Sequence, residues 1–237
     1  MTPPPGPVVR AADVRADRTA AGAVVRTMLD TGQRFIRRLV EVPAGARLDG
    51  TAGPAGELWF VIDGSGQLDA AGQPGRPLRP DQGMLLPPGI KFSINGSAGA
   101  GLRLDAVTLP GASQDAPGQP GQAGPQLRDL RDCDVETTGD RQFRVLFGPG
   151  LGCAVATQFV GEIPPGRAPE HSHPYDEVVL VLAGDGVLHA GGADYPLAAG
   201  SCAHLPPRLV HCLENTGTAR MRVLGVFHPA DSPAAKA

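Results

Sequence analysis

Five stretches set the hydrophobic pattern of this 237-residue chain: RFIRRLVEV, ELWFVI, CAVATQFVGEI, EVVLVLA and MRVLGVF. Each is short, rich in β-branched and other apolar residues, and bounded by Gly or Pro, which is the pattern of a β-strand. AAGAVVRTMLD, residues 20 to 30, fits a helix and a strand equally well. Thirty-three glycines and twenty-five prolines cut the chain into pieces too short for long helices. The pattern predicts an all-β chain built as a sandwich or jelly roll.

The strands recur. EVPAG, ELWFVIDGSGQL, LPPG, NG and VTLP in the first half are answered in the same order by EIPPG, EVVLVLAGDGVL, LPPR, NTG and VFHP in the second. The openings VVRAADVRADRTAAGAVVRTML and QLRDLRDCDVETTGDRQFRVLF also correspond. An ancestral duplication explains this order and predicts two strand-rich domains, residues 1–110 and 127–237. Between them the Gly/Pro-rich stretch 111–126 lacks apolar periodicity and reads as a linker.

Charge narrows the partners. Twenty-one basic and twenty-four acidic residues are mixed along the chain, for a net charge of −3, so no footprint for nucleic acid or an anionic membrane is present. The longest apolar run, Val178 to Ala183, is far short of a membrane span, and MTPPPGPVVR lacks a secretory pattern, so a soluble, cytoplasmic protein is expected. Cys133, Cys153, Cys202 and Cys212 form no CxxC pair and are expected to be free buried thiols. Only ten residues are aromatic, which argues against a large flat substrate, although Phe143, Phe147, Phe159 and Tyr175 remain available for stacking.

The candidate chemistry lies in the second copy, as do all six histidines. In HSHPYDEVVLVLAGDG, strand alternation puts His171 and His173 on one face, with Glu177 four residues on. His211 follows 34 residues after Glu177 and, on a later strand, completes three imidazoles and one carboxylate. That set suits a divalent first-row metal with positions left open for water or substrate.

These residues resemble the two motifs of the cupin superfamily, and the duplication makes the likeness that of a two-domain bicupin. His171, His173, Glu177 and Gly184 match the first motif; Gly200, Pro206, His211 and Asn215 match the second. Arg208 replaces the central glycine of the second motif, and Gly166 sits one residue closer to the first than usual. The resemblance implies two tandem jelly-roll (double-stranded β-helix) barrels, with one divalent transition metal (Fe, Mn, Ni, Zn or Cu) inside the second, held by His171, His173, Glu177 and His211. The first copy keeps Glu57, Gly64 and Gly89 but has LDGTAGPAG where the paired histidines should stand and Phe92 at the place of the second-motif histidine. It is expected to be structural and metal-free.

Around the predicted site, Glu170 and Tyr175 are candidates for proton transfer, and Arg208 for pairing a substrate carboxylate or else for a turn facing water. His204 shares a side with Cys202, Gln158 is a candidate for pointing into the barrel, and His189 and His228 are expected to be exposed. The resemblance implies a metal-dependent enzyme acting on a small molecule, with a dioxygenase first. A redox-neutral isomerase or lyase and a non-catalytic binder of a sugar or organic acid are the alternatives, and a monomer or homodimer is expected.

Overall fold

The computed structural model describes residues 7–70, 72–112 and 124–233. Most of the expected linker, residues 113–123, lies outside them. The protein is all-β, with four antiparallel sheets and two one-turn 3-10 helices among the described residues. Residues 20 to 30 resolve as the strand Val24–Asp30.

Each half pairs a seven-stranded sheet with a four-stranded one, the two layers of a jelly-roll barrel. The larger sheet of the second half runs Val8–Arg10, Ser201–Leu205, Asp176–Ala183, Met221–His228, Thr157–Ile163, Arg141–Phe147, Glu136–Thr138. The equivalent sheet of the first half starts with Gln126–Asp129 and continues through Gln82–Leu86 and Glu57–Gly64. The opening strands are therefore exchanged: Val8 pairs with Ala203, and Leu127 pairs with Met84. Each copy's first strand covers a sheet edge of the other, which removes an unpaired edge from both.

The two large sheets face each other. Leu58 and Phe60 of the first pack in one cluster with Val178, Leu180 and Leu224 of the second. The alternate residues, Trp59 and Val61 or Val179 and Val181, fill the separate barrel cores. Burial on both faces is why ELWFVI and EVVLVLA read as unbroken apolar runs and not as alternating ones. It also fixes which way Glu177 points, because it shares parity with Val179 and so faces the barrel interior.

The shared spacing from Glu to Gly ends each of these strands in a left-handed turn, at Gly64 (φ 86°) and Gly184 (φ 92°). A Cβ on Gly64 would stand 2.2 Å from the Gly101 carbonyl oxygen, so that position admits no side chain. All four cysteines are free and buried.

Candidate metal centre

His173 and Glu177 flank the start of the strand Asp176–Ala183, and His211 opens the strand His211–Asn215. His171 and His211 are tied by a reciprocal pair of backbone hydrogen bonds, 3.0 and 2.9 Å long. Ligand atoms of His173, Glu177 and His211, all buried, come within 4.8 Å of one another. His171 stands outside that tight trio, half-buried, with its ring centroid 4.6 Å from that of His211.

The tautomers are set locally. Nδ1 of each imidazole lies against a backbone carbonyl: His171 with Pro169 at 3.2 Å, His173 with Tyr175 at 3.0 Å and His211 with Leu209 at 2.9 Å. A ring that donates from Nδ1 keeps its proton there and leaves the Nε2 lone pair bare, the arrangement that orients histidines toward a metal. His173 Nε2 is buried without a hydrogen-bond partner. Glu177 Oε2 is only 3.0 Å from it, yet the ring N–H direction misses the carboxylate. A buried Nε2 without a well-formed hydrogen bond, so close to a carboxylate oxygen, fits a cation shared between the two. The donor set is that of a divalent first-row metal.

Burial lowers the basicity of His171 and of His211, so both are neutral at pH 7. Arg141 adds to the lowering at His171, which places its charge near the same group. At His173 burial works in the same direction, but the Glu177 carboxylate outweighs it and raises the imidazole above its ordinary range.

The cavity beside these groups measures about 90 Å³. That is small beside the several hundred Å³ of a pocket for a drug-sized ligand. Its wall includes Phe143, Phe159 and Phe227, and Tyr175 lies stacked between His173 (4.3 Å) and Phe227 (4.3 Å). The Tyr175 phenol donates to the Ser232 carbonyl at 3.5 Å, and burial first, then Glu177, pushes its pKa well above the ordinary value. Phe147 instead packs between the two large sheets.

Several expected site residues lie elsewhere. Glu170 is exposed, accepts from Arg167 at 3.0 Å, and does not line the cavity. Arg208 is also exposed and away from it; it adopts the left-handed conformation (φ 65°) that Gly89 adopts in the first copy (φ 68°). Its backbone N–H donates to the His173 carbonyl at 2.8 Å, so the turn acts on the site through its main chain. Gln158 faces the other barrel, donating to the Trp59 carbonyl at 3.4 Å, because inward positions on its strand belong to Phe159 and Gly161. His204 turns outward to Asp176 at 2.9 Å. His189 and His228 are half-buried, not exposed: His189 bridges Asp194 and Glu214, and His228 meets the Val155 carbonyl at 2.7 Å. Asn215 is structural, since its amide donates to the Ile163 and Ala219 carbonyls.

Sequence reasoning passed over Arg141, a half-buried cavity residue at the start of the strand Arg141–Phe147. It has no motif to mark it.

In the first barrel the same places are filled. Phe92 pairs with Gly50 as His211 pairs with His171, and its ring packs edge-on against Trp59 at 5.6 Å. Glu57 accepts from the Trp59 indole at 2.8 Å, so its carboxylate is satisfied without a metal.

The family model described as Cupin domain matches residues 159–227, the stretch that carries all four candidate ligands. That stretch of the second barrel is a cupin domain. An oxalate-binding protein from Thermotoga maritima is 34% identical over 68 residues, which is 28% of this chain and 56% of that protein. The match thus spans about half of the relative's length. In fold, the chain is similar to a mutant oxalate decarboxylase of Bacillus subtilis (TM-score 0.75, 14% identity, 100% of this chain and 80% of that one). It is equally similar to the oxalate decarboxylase formate complex of Lactobacillus farciminis (TM-score 0.75, 14% identity, 98% and 90%). No helix among the described residues is long and apolar enough to cross a membrane.

Proposed function

We propose that the second barrel holds one divalent transition metal ion on His173, Glu177 and His211, with His171 as the fourth donor, and binds a small organic acid at the metal's open positions. The observation that carries this reading is the convergence of His173, His211 and the buried Glu177 carboxylate, whose ligand atoms lie within 4.8 Å of one another, with Nδ1 of both imidazoles, and of His171, held by backbone carbonyls.

When bound, the metal supplies a Lewis acid that polarises an oxygen of the acid. The protein residues do the rest. Imidazoles that bind as neutral donors and one carboxylate would leave a divalent ion held there with net positive charge, so the residues present suit an anionic ligand. Phe143, Phe159 and Phe227 give that space an apolar wall. The roughly 90 Å³ volume favours an acid of a few heavy atoms over a sugar or an aromatic ring. The oxalate-binding relative supports the same class of ligand.

Turnover is a separate matter, since Glu170 is outside the cavity and the Tyr175 phenol holds its proton tightly. The test is metal analysis of protein purified without chelator, followed by titration of the loaded protein with oxalate, formate and acetate. Metal near one equivalent and saturable binding lost on chelation support the proposal; a metal-free protein or metal-independent binding refutes it. Oxygen uptake with the acid would identify the dioxygenase, carbon dioxide release without oxygen uptake the redox-neutral lyase, and binding alone the non-catalytic form.

A further inference from the structure

Arg141 lines the cavity of the second barrel together with His171, His173, Glu177 and His211. Its Nε is buried and has no hydrogen-bond partner, and the side chain makes no ion pair among the described residues. A guanidinium is fully charged at any physiological pH, and a buried N–H of it without an acceptor is costly. Glu162, another acid of the cavity wall, lies 3.6 Å from Arg144 and so has a partner of its own. Resting on the metal-centre reading above, the charge count is short: a divalent ion with Glu177 retains one net positive charge, and Arg141 adds a second to the same small space. Two like charges in a low-dielectric cavity repel unless an anion lies between them.

We propose that Arg141 is the second anchor of the ligand: its guanidinium receives the far carboxylate of a small dianionic acid whose near carboxylate occupies the metal. The planar fork of Arg suits a carboxylate in a way that Gln does not. The cavity volume limits the spacer between the two carboxylates to very few atoms. The residue therefore sets specificity for two-ended acids over monocarboxylates, and it stands on a different strand from every candidate metal ligand.

The experiment compares metal-loaded wild type with Arg141→Gln and Arg141→Lys, using oxalate, malonate and acetate as probes in calorimetric titrations. Metal content is measured before and after each titration. In Arg141→Gln the expected result is unchanged metal, dicarboxylate affinity lowered by about 10- to 100-fold, and acetate affinity changed by less than about 2-fold, as for loss of one charge-assisted contact. Arg141→Lys, which keeps the charge, is expected to fall between the two. Equal weakening of acetate and oxalate, unaltered oxalate affinity, loss of metal in both variants, or a loaded wild type that binds neither dicarboxylate would each overturn the assignment. A wild type that takes up no metal would instead refute the metal centre on which it rests.

Discussion

Arg37, in the first barrel, donates a 2.9 Å hydrogen bond to the carbonyl of Val178, the residue that follows Glu177 in the second. The same guanidinium pairs with Asp105 at 2.7 and 3.1 Å and donates to the Leu224 carbonyl at 3.1 Å, all fully buried. The strand that presents Glu177 is thus pinned from the other barrel. Arg37→Met leaves the buried Asp105 carboxylate without its cation and removes two hydrogen bonds to backbone carbonyls, and is expected to cost about 3–5 kcal/mol. Arg37→Met with Asp105→Leu should recover much of that loss. Urea unfolding midpoints measure both; equal destabilisation of the single and double variants would show that charge burial is not the cause.

His211→Ala is expected to lower bound metal to a small fraction of wild type, while Phe92→Ala leaves it unchanged. Metal at a hundredfold excess over its Kd stabilises the fold by about 2.7 kcal/mol, so chelation should lower the wild-type Tm by roughly 5–10 °C. The His211→Ala Tm should not respond to chelator. Plasma mass spectrometry and calorimetry read the two effects, and equal metal loss in Phe92→Ala would contradict a single site in the second barrel.

Gly50 and Phe92 occupy the pairing that His171 and His211 hold in the other copy. A Cβ at Gly50 would lie 2.4 Å from the Phe92 ring, so Gly50→Ala is expected to cost about 1–3 kcal/mol through overpacking. Adding Phe92→Leu should relieve part of the clash, giving a favourable coupling in a double-mutant cycle. Additive effects would mean that the two positions do not share this space.

His189 lies between two carboxylates, Asp194 at 2.6 Å and Glu214 at 2.8 Å. Hydrogen bonding to Glu214 first, then to Asp194, raises its pKa above the ordinary value of about 6.5. The protonated form is therefore favoured by folding. Its contribution is complete below about pH 6.5 and is lost as pH rises through the higher folded midpoint. NMR titration of the His189 ring should give a midpoint above that of a free histidine, and His189→Gln should remove this part of the pH dependence of Tm. A midpoint at or below the ordinary value would contradict the bridge.

The strand pattern, the duplication and the His-x-His…Glu…His spacing were all legible in the chain because each depends on local periodicity. Apolar runs such as EVVLVLA identified strands, and the absence of histidines from the motif places of the first copy was visible as Phe92 and LDGTAGPAG. Side-chain direction outside the motifs was not legible. Gln158 was a candidate for the cavity, yet its strand turns Phe159 inward and Gln158 toward Trp59, since a shift of one residue exchanges the two faces. Glu170 and Arg208 are close to the ligands in sequence but leave the cavity by way of loops.

By itself, then, the sequence determined two β-barrels and the residue types able to grip a metal, because alternation and motif spacing are properties of neighbours along the chain. Only the tertiary structure decided that the opening strands change places, that Arg37 reaches across to Val178, and that Arg141 lines the same cavity as the imidazoles. Those are contacts between segments far apart in the chain, set by how two sheets bury their facing sides, and no local pattern encodes them.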